Sequence, residues 1–399
     1  MKTAYIVDIL RTPIGKYAGA LAGVRPDDLL AHAIKTLVER NKGLDPALIE
    51  DVIAGAANQS GEDNRNVARM ALLLAGLPIT IGGVTVNRLC ASGLQAIMDA
   101  AQGIITGNGD VFIASGVESM SRAPFVMPKA EESFSRKAEI FDTTMGWRFI
   151  NSKLSKLYHP YSMGETAENV AEKWKISRQA QDEFALQSQT RYQQAFEAGK
   201  FKEEIIAVPV SKGRGEIIIV DKDEHPRGTS LEKLAALKPA FKENGSVTAG
   251  NSSGINDGAA ACMIVSEDVV VKLNLKPLAR VVSMAVTGVE PAHMGIGPVP
   301  ATQKALKRAG LKVSDLGLIE LNEAFASQSL ACMQDLGLNP EIVNVNGGAI
   351  AIGHPLGCSG VRISATLIHE MQKRNVKHGL ATMCIGVGQG AAIIYEAVN

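Results

Sequence analysis

Apolar positions along the chain follow two periods in alternation. Short runs of aliphatic residues at Ala4 to Ile9, Ile49 to Ala54, Val84 to Val86 and Val111 to Ala114 predict buried strands. Between them, Asp27 to Arg40, Asn64 to Ala75 and Leu94 to Ile105 carry apolar residues at helical spacing, with Asp27 or Asp28 placed as a cap. Strand and helix alternate, which is the pattern of an α/β fold.

The last third replays this order. Ala279 to Val286 stands where Ala4 to Leu10 stood, and Ala301 to Ala309 answers the helix after Asp27. Val313 to Phe325 (VSDLGLIELNEAF) answers Asp45 to Ala57, and Ile342 to Gly360 answers Val84 to Gly93 (VTVNRLCASG). Leu380 to Gly388 answers Val111 to Ser119. Ordered self-similarity of this kind predicts a duplicated α/β core of two similar halves, packed about a pseudo-twofold axis. In the second copy, Gly388 to Val398 follows its strand at once, whereas its counterpart Asn256 to Glu267 comes long after Val111 to Ala114. The reading is an N-terminal half of residues 1–121 plus 249–275, an inserted loop domain of 122–248, and a C-terminal half of 276–399. The insertion is charged, with a helical stretch from Glu165 to Gly199 capped midway by Ser177.

Composition narrows the class. Lys+Arg and Asp+Glu both number 41, so no bulk attraction to nucleic acid or membrane is implied. The five cysteines, Cys90, Cys262, Cys332, Cys358 and Cys384, are odd in number and form no CxxC pair. That argues against a disulfide framework or structural zinc and for a reducing compartment. No apolar run approaches a membrane span. The expectation is a cytoplasmic protein.

Candidate chemistry sits in the turns. Cys90 follows a strand and opens a helix with small neighbours Ala91, Ser92 and Gly93, a position where helix-terminal N–H groups favour a thiolate. The plainer alternative is a buried small hydrophobe. His354, between Gly353 and Pro355, has its backbone held on both sides, as suits a positioned acid/base or a hydrogen-bonded core histidine. The spacing at Gly386–Gly390 is wrong for a dinucleotide loop. Two cysteines and a histidine at equivalent edges of duplicated units suggest covalent acyl transfer with a separate proton-transfer thiol.

Six motifs, NRLCASG, GETAENVA (Gly164 to Ala171), TAGNSSGINDGAA (Thr248 to Ala260), NEAF (Asn322 to Phe325), GGAIAIGHPLGCSG and CIGVGQG, together resemble the thiolase family over essentially the whole chain. The resemblance implies a thiolase-like core layered α-β-α-β-α and the following roles. Cys90 matches the nucleophile that takes the acyl group as a thioester. His354 matches its activating base and, with a water held by Asn322, an oxyanion hole. Cys384 matches the thiol that moves the α-proton of acetyl-CoA. The N–H groups of Cys90 and Gly386 match a second oxyanion hole. Arg227, Phe241 and Ser253 match contacts to coenzyme A, with Met163, Met294 and Ala324 near the acyl end. Coenzyme A and acyl-CoA are substrates, no cofactor or metal is called for, and the family tends to form homodimers and homotetramers. One departure is Ser162 before Met163-Gly164, where short-chain biosynthetic thiolases carry histidine.

Within the family, Asn58 to Pro78, Ser119 to Met127, Phe141 to Phe149 and Asp223 to Glu232 look closest to thiolases that cleave 3-oxoadipyl-CoA to succinyl-CoA and acetyl-CoA. Such a substrate brings a distal carboxylate, which needs a cationic or donating partner. Arg148 is the first candidate, with His159 and His293 behind it. The alternatives are an acetyl-CoA C-acetyltransferase or general 3-oxoacyl-CoA thiolase, a decarboxylating ketosynthase, and a non-catalytic acyl-CoA binding protein.

Overall fold

The computed structural model describes residues 2–213 and 215–398; Met1, Arg214 and Asn399 lie outside the described residues. The first half runs β1 (Ala4–Arg11), α1 (Pro26–Arg40), β2 (Asp51–Gly55), α2 (Val67–Leu74), β3 (Gly82–Val86), α3 (Ser92–Thr106) and β4 (Val111–Ser119). A long excursion follows, which includes α4 (Met163–Lys173) and α5 (Arg178–Glu197), before β5 (Asn256–Ser266) closes the half. The second half runs β6 (Ala279–Gly288), α6 (Pro298–Ala309), β7 (Leu318–Leu321), α7 (Ala326–Leu336), α8 (Leu356–Arg374), β8 (His378–Ile385) and β9 (Gln389–Ala397).

Pairing exposes the duplication. The first half is ordered β3-β2-β4-β5-β1 and the second β7-β8-β9-β6. In both, the β5-type strand runs antiparallel to its neighbours while the earlier ones are parallel. The strand expected at Ile342 to Val345 reduces to one parallel bridge, Ile319 to Val343. The side chain of Asn344 takes over its work, accepting from Leu321 N at 2.9 Å and donating to Leu321 O at 2.8 Å. A short β1–β6 ladder, Tyr5 with Arg280 and Ile6 with Ala279, joins the halves into one sheet of these nine strands and a tenth, the two-residue Gly15–Lys16, which pairs with β5.

Alternation along each strand sorts its side chains into layers. Ile113 faces a cluster with Leu30, Ile34 and Val52 under α1 and α2, whereas Ala114 faces the centre. Likewise Ile394 faces Ala301, Leu306 and Leu380, whereas Ile393 and Tyr395 face the centre. The central layer is α3 and α8, with Ile97, Met98, Val361 and Ile368 in the shared cluster. This is the α-β-α-β-α order. The two helices touch backbone to backbone: a Cβ at Gly93 would lie 2.6 Å from Gly357 O, and one at Gly360 would lie 1.9 Å from Leu94 N. Close crossing brings the turns ahead of α3 and α8 together, and those turns carry Cys90 and His354.

The excursion packs back onto the core. Tyr192 and Phe201 join the central cluster, Val208 and Val220 the first outer one, and Phe184 and Leu234 the second. Ser177 caps α5, its side chain accepting from Ala180 N.

Candidate active site

Cys90 lies in a helical turn, Leu89–Ala91, between β3 and α3. The turn is tight enough to hold Leu89 at φ +47, a conformation costly for a branched side chain. It is clamped by Asn87 Oδ1 accepting from Leu89 N at 2.9 Å, and by Ser92 Oγ accepting from Arg88 N and donating to Leu89 O. The N–H groups of Cys90 itself and of Gly386 both point at the half-buried Cys90 sulfur. Contrary to the helix-terminus expectation, the resting group is a thiol. Burial pushes it up to about 11, and the two N–H contacts lower it only in part. A helix end contributes roughly 0.3–1 kcal/mol, less than desolvating a thiolate costs.

His354 is held first by its backbone. Its main-chain N–H donates to Asn256 Oδ1 at 2.9 Å, and Gly353 before it adopts φ +112 against the same asparagine, where a Cβ would collide at 2.5 Å. Nδ1 lies 2.6 Å from Ser359 Oγ, and Nε2 lies 3.4 Å from Asn322 Nδ2. Burial, then the Arg362 charge, pulls the imidazole down to about 3, so the ring is neutral.

Cys384 is the next-to-last residue of β8 and is 1% exposed. Burial first, then the neighbouring sulfurs of Cys90 and Cys332, raises it well above the usual thiol range. It shares an apolar cluster with Met163, Phe241, Met294, Ala324 and Phe325. The structure therefore gathers four of the predicted acyl and pantetheine contacts around the second thiol. Ser253 N donates to Ala324 O at 3.0 Å, which sets it beside them. Phe241 lies over the start of α4, where a Cβ on Gly164 would fall inside its ring. Gly386 is bracketed by Leu89 and Met163, whose Cδ1 and Sδ would sit 3.2 and 3.6 Å from an added Cβ. Arg227 is exposed and holds Ala249 O at 2.8 Å. Ser162 forms a capping box with Glu165 at the head of α4.

The carboxylate candidates separate. His293 packs edge-on to Trp174 at 5.9 Å, and His159 packs on Tyr161 at 4.5 Å. Arg148 donates to Ser60 Oγ at 3.3 Å and has no carboxylate partner among the described residues. Its neighbour Trp147 donates to Tyr161 O, pinning the loop to the segment that leads into Met163.

Three buried groups of the site escaped the sequence reading. Glu118 accepts from Ala57 N, Asn58 N and Gly357 N, tying the first half to the head of α8, and burial pushes it up to about 7. Glu323 accepts from Ser188, Asn344 and Ile350 N, fixing the loop that carries Asn322. Arg362 donates to Asn322 Oδ1.

A thiol under two convergent N–H groups, a neutral imidazole, an amide donor and a second buried thiol can form a thioester and move a carbon-bound proton. Family profiles agree with that chemistry: "Thiolase, N-terminal domain" matches residues 4–268 and "Thiolase, C-terminal domain" matches residues 275–397. The chain belongs to the thiolase family. It is an acyltransferase, in a family whose members use acyl-CoA and coenzyme A. It is 56% identical to the beta-ketoadipyl-CoA thiolase of Escherichia coli and 54% identical to that of Acinetobacter baylyi, each over the full length of both chains. The crystal structure of the Bacillus anthracis acetyl-CoA acetyltransferase superposes with a TM-score of 0.94 at 42% identity, covering 100% of this chain and 99% of that one. No described helix is long and apolar enough to cross a membrane.

Proposed function

We propose that this thiolase cleaves 3-oxoadipyl-CoA with coenzyme A to give succinyl-CoA and acetyl-CoA, reversibly. The full-length identity of 54–56% to beta-ketoadipyl-CoA thiolases carries the substrate assignment. The convergence of the Cys90 and Gly386 N–H groups on the Cys90 sulfur carries the mechanistic one.

His354 Nε2 takes the Cys90 proton as the sulfur adds to the C3 ketone. The tetrahedral oxyanion lies under the Cys90 and Gly386 N–H groups. Collapse breaks the C2–C3 bond, leaving succinyl on Cys90 and the acetyl-CoA enolate, whose oxygen faces His354 and a water held by Asn322. Cys384 protonates the enolate carbon. Incoming coenzyme A gives its thiol proton to Cys384 and takes the succinyl group, and Cys90 recovers its proton from His354. Arg227, Phe241 and Ser253 hold coenzyme A, with Met163, Met294 and Ala324 at the acyl end. No cofactor or metal enters this scheme.

The distal carboxylate of the succinyl group is assigned to Arg148, a half-buried guanidinium whose one hydrogen-bond partner among the described residues is a neutral hydroxyl. Guanidinium pairs bidentately with carboxylate and stays charged at any working pH. Arg148→Met is expected to raise KM for 3-oxoadipyl-CoA by an amount worth about 2–3 kcal/mol and to leave acetoacetyl-CoA kinetics nearly unchanged. Equal losses on both substrates would return Arg148 to a purely structural role. The similarity to an acetyl-CoA acetyltransferase keeps acetoacetyl-CoA as the second reading, and the ratio of kcat/KM on the two substrates decides between them.

Assembly as a homodimer or homotetramer in the cytoplasm belongs to the same proposal. Strand β3 ends the sheet with Val84 41% exposed, and an unpaired edge is suited to another copy of the chain. The five free thiols suit a reducing compartment. Sedimentation velocity is expected to give a dimer or tetramer mass, with Val84→Lys shifting it downward.

A further inference from the structure

Two arginines among the described residues are fully buried, and they are built differently. Arg11 is saturated: Nε donates to Glu204 at 2.7 Å, the fork is bidentate on Asp223, and Nη1 also reaches Thr12 O. That is how a structural charge is held inside a protein. Arg362, on α8, is 0% exposed on its side chain, yet Nε and Nη1 have no hydrogen-bond partner among the described residues. Its facing carboxylate, Glu320 on β7, stands off at 3.8 Å. Its hydrogen bond runs from Nη2 to Asn322 Oδ1, at 3.3 Å.

That contact decides which way the Asn322 amide points. A guanidinium only donates, so the atom facing it must be the amide oxygen, and Nδ2 is turned toward His354 Nε2. The other side of the ring is decided by Ser359. Its single hydroxyl proton goes to Pro355 O at 2.8 Å, so at the 2.6 Å contact Ser359 Oγ accepts and His354 Nδ1 carries the hydrogen. The lone pair of a neutral ring is then on Nε2, the nitrogen facing the Asn322 donor.

We propose that Arg362 is a positioning residue for the thiolase reaction, fixing the Asn322 amide so that it and Ser359 together present His354 with its lone pair on Nε2. The role is independent of which acyl chain the pocket takes. The Arg362 charge adds a second effect, since burial and that charge both favour the neutral ring. Other groups around the ring oppose this little. Burial pushes the Glu320 carboxyl up to about 8, Glu118 on β4 is engaged by the Gly357 N–H, and the Cys90 and Cys358 thiols, pushed up to about 11 and 12, are uncharged. Removing the arginine charge therefore raises the His354 pKa, and the acid limb of kcat/KM moves to higher pH as protonation of the base stops acylation.

The test uses Arg362→Met in the full-length enzyme, assayed on both acetoacetyl-CoA and 3-oxoadipyl-CoA. Expected are a kcat lower by about 100-fold, a KM changed by less than about 3-fold, and an acid limb shifted up by about one pH unit. In an Asn322→Ala background the same change is expected to lower kcat far less, because the two residues act in series. Arg362→Lys retains the charge and should keep the acid limb while recovering only part of kcat. An acid limb that stays put, or a full additional loss in the Asn322→Ala background, overturns the proposal. If the single variant fails to fold, Glu320→Gln/Arg362→Met removes the facing pair together and takes its place. The wild-type enzyme supplies an independent check. Nitrogen-15 NMR of labelled histidine should show His354 neutral with its proton on Nδ1 from about pH 5 to pH 9, and a ring that titrates near 6.5 or carries its proton on Nε2 overturns the assignment.

Discussion

Cys90→Ala is expected to abolish acyl-enzyme formation while leaving the fold intact. The side chain is small and half-buried, and the turn that holds it is clamped by Asn87 and Ser92 rather than by the sulfur. Loss of stability should stay within about 1 kcal/mol, the usual range for a change that opens no large cavity. The chemical loss is of another order. Without the Cys90 sulfur there is no attacking atom beneath the N–H groups of residue 90 and Gly386, and turnover should fall by at least about 10⁴-fold. Mass spectrometry after mixing with acyl-CoA is the direct measurement. An acyl adduct that persists in the variant would move the nucleophile to another thiol. Thermal unfolding beside the wild type separates lost chemistry from lost fold.

The duplicated core was legible because each strand and helix is buried on a consistent face, so its apolar period survives in the sequence. Periodicity carried less where side chains replace backbone. Asn344 pairs with Leu321 through its amide, so the second half does without a full third strand although the motif around it looks like one. It also says nothing about what lies on the far side of a helix. Ser359, Arg362 and Glu370 are polar, and no apolar period marks their sides of α8 as covered, yet each of them is buried. Their roles became visible only with their partners in place. The thiolate expected at Cys90 failed for a related reason, since the sequence shows a helix start but not how much water reaches it. His354 stood out in the sequence because Gly353 and Pro355 hold its backbone on both sides.

The second large effect concerns the division of labour between the thiols. Cys384→Ser is expected to be acylated at Cys90 as the wild type is, yet to exchange the α-protons of acetyl-CoA about 10³-fold more slowly. The residue is 1% exposed among Met163, Phe241, Met294, Ala324 and Phe325, and burial holds its proton firmly at rest. Such a group is an acid suited to a strong base such as an enolate carbon, formed beside it and protonated at once. Serine has nearly the same shape, but its hydroxyl is a far weaker acid than a thiol of ordinary pKa about 8.5. It also brings a polar group into an apolar cluster without a partner, at a cost of roughly 1–3 kcal/mol in stability. That cost would lower the melting temperature without touching Cys90, because the Cys90 sulfur is held by main-chain N–H groups of its own turn and of Gly386. Deuterium exchange into acetyl-CoA, measured beside acylation of the same sample, separates the two steps. Exchange at the wild-type rate would mean that His354 or a bound water moves the carbon proton, and a loss of acylation as large as the loss of exchange would make Cys384 part of the nucleophile's own machinery.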